Sequence, residues 1–294
     1  MIYILENDKL KIKISSMGAE LQSIRRLDDD TEYLWQGDPT YWANRATNIF
    51  PTCGRMVEGK YTYRGKTYDM QIHGIVRTME WKVVYQKSNA LTMQVTSDPN
   101  TLAVYPFPFT MEIAYTLNDE ELSVALIVHN PDDASEPMLF AVGGHPGFNL
   151  PLNEGLTFED YEVVFDEPCD ARRLALSDTC FYLNDSVPFA LEDNCRLPLR
   201  HDLFDNDAIF LRNTCGAVTL RSDKGGHSVR VVYPDMKFLG LWHKPHTEAP
   251  YICIEPWRGT PALDGHINDL TELPEMERLE PGQTYRNVYT ITLR

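Results

Sequence analysis

The stretch Lys9-Leu10-Lys11-Ile12-Lys13-Ile14 alternates polar and apolar side chains without a break. Successive side chains of a strand point to opposite faces, so this pattern puts Leu10, Ile12 and Ile14 on a core and three lysines in water. The same period of two recurs along the chain. It returns in Tyr61–Tyr63, Trp81–Tyr85, Leu91–Thr96, Met111–Tyr115 and Leu122–Val128, then in Ala217–Leu220, Ser228–Tyr233, Phe238–Trp242 and Thr284–Leu293. Turn formers separate the runs: Asp28-Asp29-Asp30, Arg64-Gly65-Lys66, Asp98-Pro99-Asn100, Asn118-Asp119-Glu120 and Asn130-Pro131-Asp132. Helical periodicity is scarce, with one short turn of helix expected over Pro39–Asn44. Many short strands at regular spacing predict an all-β protein of large antiparallel sheets, a sandwich or a barrel, whose concave face offers a ligand site. The interval Asp166–Asp205, with Pro168, Pro188 and Pro198 among charged residues, reads as a long excursion over the surface.

The 294 residues carry no internal repeat, low-complexity tract or flexible linker, so residues 1–294 read as one domain. Lys and Arg number 27 against 43 Asp and Glu, a formal net charge of −16. Nucleic acids and anionic membranes need a positive footprint, so neither is expected as a partner. The N-terminus becomes charged too early for a signal peptide, and no apolar run approaches the roughly 20 residues that span a bilayer. Six scattered cysteines (Cys53, Cys169, Cys180, Cys195, Cys215, Cys253) contain no C-x-x-C pair. Free thiols in a reducing cytoplasm are the expectation.

Four segments carry residues suited to chemistry. Val142-Gly143-Gly144-His145-Pro146-Gly147-Phe148-Asn149-Leu150 follows an apolar run and presents one imidazole between glycines and a Pro-Gly pair; it reads as a strand end, with Phe148 offering a ligand an apolar face. Tyr251-Ile252-Cys253-Ile254-Glu255-Pro256-Trp257-Arg258-Gly259 reads as an apolar strand ending in a glutamate. A buried acid is costly unless paired or used, and Trp257 beside it offers a flat face that suits a sugar ring. Gln71-Ile72-His73-Gly74-Ile75-Val76-Arg77 supplies a second histidine, and Asn48–Arg55 aims the Arg55 guanidinium from a Pro- and Gly-shaped loop. Each has a plain structural reading: a core or loop histidine, a surface arginine, a glutamate paired with Arg258 or Arg55. Together, two histidines, an arginine and a glutamate suit acid–base work on a neutral polar molecule. No nucleophile elbow and no phosphate-cradling glycine loop is present.

With those segments assembled, the chain resembles the aldose 1-epimerase (galactose mutarotase-like) family, and within it the LacX-like bacterial branch. The resemblance runs through Met17-Gly18-Ala19-Glu20-Leu21, Phe50-Pro51 to Gly54-Arg55, His73-Gly74, Gly144-His145-Pro146 with Phe148-Asn149, and Glu255-Pro256-Trp257. It implies a β-supersandwich and interconversion of the α and β anomers of a free hexose, with no metal or organic cofactor. By motif, His145 is the implied acid toward the ring oxygen and Glu255 the implied base toward the C1 hydroxyl. His73 and Arg55 are implied to orient the sugar and stabilise charge, and Asp207 in Phe204–Phe210 is similar to the family's hydroxyl-binding aspartate. An acid and a base of this kind predict a bell-shaped pH profile; a flat profile from about pH 5 to 9 would count against the pair. The chain departs from the galactose-specific branch at Cys53-Gly54-Arg55 and around the second histidine, which leaves the sugar open.

Four other readings compete. A hexose-6-phosphate 1-epimerase needs further cations, and Arg77, Arg258 and Lys244 are candidates. A carbohydrate-binding or sensing protein without turnover would use the same scaffold. A glycoside hydrolase would use Glu255 with Asp207 across the scissile bond. A metal enzyme would draw on the H-x-x-H pair His243 and His246, with His73 and His145 added. Trp35, Tyr41, Trp42 and Trp242 read as core, with one of them lining the pocket. A wide sheet also leaves room for a homodimer interface.

Overall fold

In the computed structural model, which describes all of residues 1–294, the lysine-rich stretch forms the strand Leu10–Ser15, with Leu10, Ile12 and Ile14 fully buried and Lys13 exposed. It is the middle of a three-stranded antiparallel sheet between Ile2–Glu6 and Leu21–Arg26. Two larger antiparallel sheets make the body. The nine-stranded sheet runs in the order Arg196–Pro198, Glu162–Phe165, Ala217–Arg221, Ser228–Val232, Thr284–Leu293, Glu121–His129, Thr110–Asn118, Ala90–Thr96, Lys82–Gln86. The seven-stranded sheet runs Tyr182–Pro188, Arg172–Leu176, Ile209–Arg212, Phe238–Trp242, Tyr251–Arg258, Val142–Asn149, Ala46–Ile49. Alternate residues of both sheets meet in one core. Leu122, Val124, Tyr289 and Ile291 come from the first, and Phe148, Leu239, Ile252 and Ile254 from the second. The outer face of the seven-stranded sheet is left to carry other side chains.

The all-β expectation holds, and three local readings change. The Asp166–Asp205 interval is built from strands: Arg172–Leu176 and Tyr182–Pro188 form one edge of the seven-stranded sheet, and Arg196–Pro198 edges the other. Pro188 and Pro198 end edge strands, where a missing N–H is tolerated, and Pro168 lies in the connection before them. The one α-helix is Pro99–Val104; Asp98, read as a turn residue, caps it by accepting from the Thr101 N–H, with Pro99 at the first helical position. Pro39–Asn44 forms a turn in which the Tyr41 and Trp42 N–H groups donate to the Asp38 carbonyl. No helix is long and apolar enough to cross a membrane, and all six cysteines are free.

Candidate active site

Strand register places the candidate residues. In the pairing of Val142–Asn149 with Tyr251–Arg258, Gly143 faces Trp257 and Gly147 faces Cys253, so the same register sets His145 opposite Glu255. On its other side His145 pairs with Thr47, and Glu255 pairs with Gly240, which in turn pairs with Phe210. A single row across five strands therefore reads Thr47, His145, Glu255, Gly240, Phe210. A Cβ at Gly240 would stand 2.9 Å from the Phe210 ring and 3.1 Å from the Glu255 Cβ, so glycine leaves these neighbours their space. A Cβ at Gly144 would lie 2.5 Å from the Tyr289 hydroxyl on the core side. His145 and Glu255 thus stand within continuous strands, Val142–Asn149 and Tyr251–Arg258, and not at the strand ends that the flanking Gly and Pro suggested. The glycines here serve close packing, Gly144 between the two sheets and Gly240 along the row, rather than chain reversal.

The row floors a cavity of about 260 Å³ whose lining includes Arg55, His73, His145, Asp207, Glu255 and Trp257. Phe148, expected to face the ligand, does not. It is three residues from His145 on one strand, so it points to the opposite face and is fully buried in the main core. The aromatic walls are Trp42, Trp242 and Trp257. Trp42 stacks on His145 at 4.8 Å between ring centroids, and Trp242 meets the same imidazole edge-on at 5.8 Å. Two of the tryptophans read as core thus line the cavity, while Trp35 packs with Tyr251 away from it. Arg77, Leu176 and Cys180 also line it. Leu176 and Cys180 arrive through the edge strands that the sequence pattern did not show.

His145 Nε2 lies 3.4 Å from Glu255 Oε2, and both residues are buried. Neither Arg258 nor Arg55 pairs with Glu255: Arg258 is bonded to Glu277, and Arg55 reaches Asp207 at 3.4 Å. Burial pulls the His145 imidazole down to about 3, and burial with nearby Asp207 pushes the Glu255 carboxyl well above the usual range. Both shifts disfavour charge, and the 3.4 Å contact is longer than a charge-assisted bond of about 2.7–2.9 Å. Both shifts favour neutral imidazole beside neutral carboxyl, a pairing with one proton to transfer.

His73 is fixed by its loop. Its backbone sits at φ +63°, and its N–H donates to the Gly54 carbonyl at 2.9 Å. The Gly54 N–H donates back to His73 Nδ1 at 3.3 Å, which leaves the ring proton on Nε2. Gly74 follows at φ +77° with its α-carbon against the Phe50 carbonyl, where a Cβ would come to 2.0 Å. Burial holds the His73 imidazole well below its ordinary value, so the ring is a neutral donor at 5.2 Å from the His145 ring. At the rim, half-exposed Arg55 and the Cys180 thiol, which donates at 3.0 Å, converge on one oxygen of Asp207. His145 Nδ1, Trp257 Nε1 and Arg77 Nε, on three residues that line this cavity, are buried without hydrogen-bond partners, unusual for buried polar atoms.

The other cations considered for a phosphate stay outside. Arg258 is held by Glu277, and Lys244 donates to the Thr40 carbonyl. The H-x-x-H pair is also dispersed: His243 is buried 3.1 Å from His201, and His246 turns outward to Asp205.

Stacked antiparallel sheets, with an acid, two imidazoles and indole walls gathered in one cavity on an outer face, define a large β-sandwich by class. The aldose 1-epimerase family model matches residues 1–292. Protein LacX of Lactococcus lactis subsp. lactis is 33% identical over 297 aligned positions, covering 98% of each chain. The crystal structure of a galactose mutarotase related enzyme from Lactobacillus acidophilus superposes with a TM-score of 0.94 at 33% identity, over 100% of this chain and 97% of that one. A galactose mutarotase-like protein from Lactobacillus casei gives 0.93 at 32% identity over the full length of both. The chain belongs to the aldose 1-epimerase family, which makes it a carbohydrate epimerase by class.

Proposed function

We propose that this protein interconverts the α and β anomers of a free hexose by acid–base catalysis on the His145–Glu255 pair. The observation that carries the reading is the placement of these two groups opposite each other on the floor of an indole-walled cavity. One member protonates the ring oxygen while the other takes the proton from the C1 hydroxyl. The C1–O5 bond breaks to the open aldehyde, C1–C2 rotates, and closure on the other face returns both protons. The pair enters and leaves the cycle with one proton, so His145 as acid with Glu255 as base uses the same inventory as the reverse. Neutral His73 donates from Nε2, and Arg55, Asp207 and Trp257 hold hydroxyls and the ring face. Exchange spectroscopy by NMR on freshly dissolved α-glucose and α-galactose tests this; no acceleration of either sugar removes the reading.

The pair sets the pH profile. Below about pH 3 His145 takes a second proton and the pair lacks a base. As the pH rises through the raised titration of Glu255, the carboxyl loses its proton and the pair lacks an acid. The expected profile is a broad bell, with its acid limb far below an ordinary histidine and its second limb above an ordinary carboxylate; burial of both groups widens the plateau, so a flat stretch within about pH 5 to 9, which counts against an ordinary His/Glu pair, does not count against this buried one. Measured kcat/KM with a limb near pH 6.5 would show instead that an ordinary imidazole controls the rate.

Arg77 supports a second reading, a hexose 6-phosphate as substrate. It forms no salt bridge, and it joins this cavity to an adjoining recess of about 270 Å³ shared with Asn44 and Thr47, where Glu20, which accepts from the Arg45 and Ala46 N–H groups, is the one acid in the lining. If the sugar carries a phosphate there, Arg77→Ala should raise KM for hexose 6-phosphate about 10–100-fold, the loss of one charge-assisted contact. KM for the free hexose should stay within a few fold. Equal effects on both sugars reject the phosphate reading.

A further inference from the structure

The His145–Glu255 pair has a third neighbour that acid–base chemistry does not use. Cys253 is two residues before Glu255 on the same strand, so both side chains leave the same face. One donor atom from each of His145, Cys253 and Glu255 lies within 4.8 Å of the other two, and all three residues are buried. Metal–ligand bonds of about 2.0–2.3 Å in a tetrahedral site put donors roughly 3.3–3.8 Å apart. The His145–Glu255 contact of 3.4 Å already has that spacing. The thiol must close in by about an ångström or less, within the reach of a χ1 adjustment.

We propose that these three residues form an inhibitory site for a thiophilic divalent cation, of which Zn²⁺ is the type. Sulfur, imidazole nitrogen and one carboxylate oxygen are a borderline-soft set that selects Zn²⁺ over Mg²⁺ or Ca²⁺. Three protein donors leave a fourth position, and the cavity side is where a water or a sugar hydroxyl fills it. Charge favours the complex in this dry setting. Zn²⁺ with a thiolate, a carboxylate and a neutral imidazole sums to zero, and the thiol proton and the proton of the pair leave to solvent. His145 Nδ1 makes no hydrogen bond, so the ligand lacks the supporting acceptor of a resident metal centre. That marks the site as one of reversible inhibition. Bound metal occupies the imidazole lone pair and the carboxylate that proton transfer needs.

The slowing of turnover rests on the mutarotase reading; the binding does not, so the two are read separately. Co²⁺ is added to the purified full chain and followed by absorption. The expected result is a thiolate-to-metal charge-transfer band at one ion per chain, displaced by Zn²⁺ and lost in Cys253→Ser, whose five other cysteines remain. Zn²⁺ should bind Cys253→Ser and Cys253→Ala at least tenfold more weakly by calorimetry, with folding of each variant checked by circular dichroism. Anomer exchange by wild type should fall more than tenfold at saturating Zn²⁺ and return with EDTA, while Mg²⁺ does nothing. No charge-transfer band, or one that survives in Cys253→Ser, overturns the site. Zn²⁺ bound through Cys253 with turnover undiminished overturns the inhibition.

Discussion

Glu255→Gln should lower kcat/KM for anomer exchange about 10²–10⁴-fold, the contribution of one positioned acid or base. The amide keeps the shape of the side chain between Gly240 and His145, so the loss reports proton transfer and not a collapsed floor. Sugar binding should survive in this variant, because Arg55, His73, Asp207 and Trp257 remain in place around the cavity. His145→Ala should cost a similar factor and weaken binding slightly, since Trp42 loses the ring it stacks on. The double variant should be little worse than either single one, because the pair moves one proton as a unit. NMR exchange rates and calorimetric sugar binding on the same preparations decide the outcome. If wild type binds the sugar and does not speed exchange, the protein is a carbohydrate-binding member of its family. If Glu255→Gln keeps more than a tenth of the rate, the proton transfer runs through other groups and the row across the seven-stranded sheet is only structural.

The parts of this site that the sequence made legible are those held by local chemistry. A histidine between glycines, a glutamate in a run of buried apolar residues and a His-Gly turn all announce themselves within a few residues. The structure brings His145, Glu255, His73, Arg55, Asp207 and Trp257 to one cavity although they span about 200 positions of chain. What stayed hidden is long-range. Trp42 and Trp242 look like core residues until the register of the sheet stacks one on His145 and turns the other edge-on to it. Cys180 and Leu176 enter only because Arg172–Leu176 and Tyr182–Pro188 add to a sheet edge, and the polar run Asn184-Asp185-Ser186 before Pro188 masks strand periodicity. The His145–Glu255 juxtaposition is likewise a fact of pairing between strands more than 100 residues apart. Alternation tells which face a side chain takes but not which strand lies beside it.

Phe148→Ala should destabilise the fold by about 3–5 kcal/mol and leave turnover per folded molecule nearly unchanged. Proximity to His145 in sequence argues for a place in the cavity, but a separation of three along a strand reverses the face. The ring is fully buried in the core between the two large sheets, and the backbone at Phe148 bridges Leu34. Removing it leaves a void in a close-packed layer that rigid paired strands cannot easily collapse to fill. Urea denaturation should show a lower midpoint with an unchanged slope, because the surface exposed on unfolding is nearly the same. Activity normalised to folded protein, measured well below the new midpoint, should stay within about threefold of wild type. The signature is the inverse of that for Glu255→Gln, which leaves the fold and removes the chemistry. A Phe148→Ala protein of ordinary stability with KM raised tenfold would place the ring on the sugar side. It would also overturn the parity that assigns His145 and Cys253 to the cavity face.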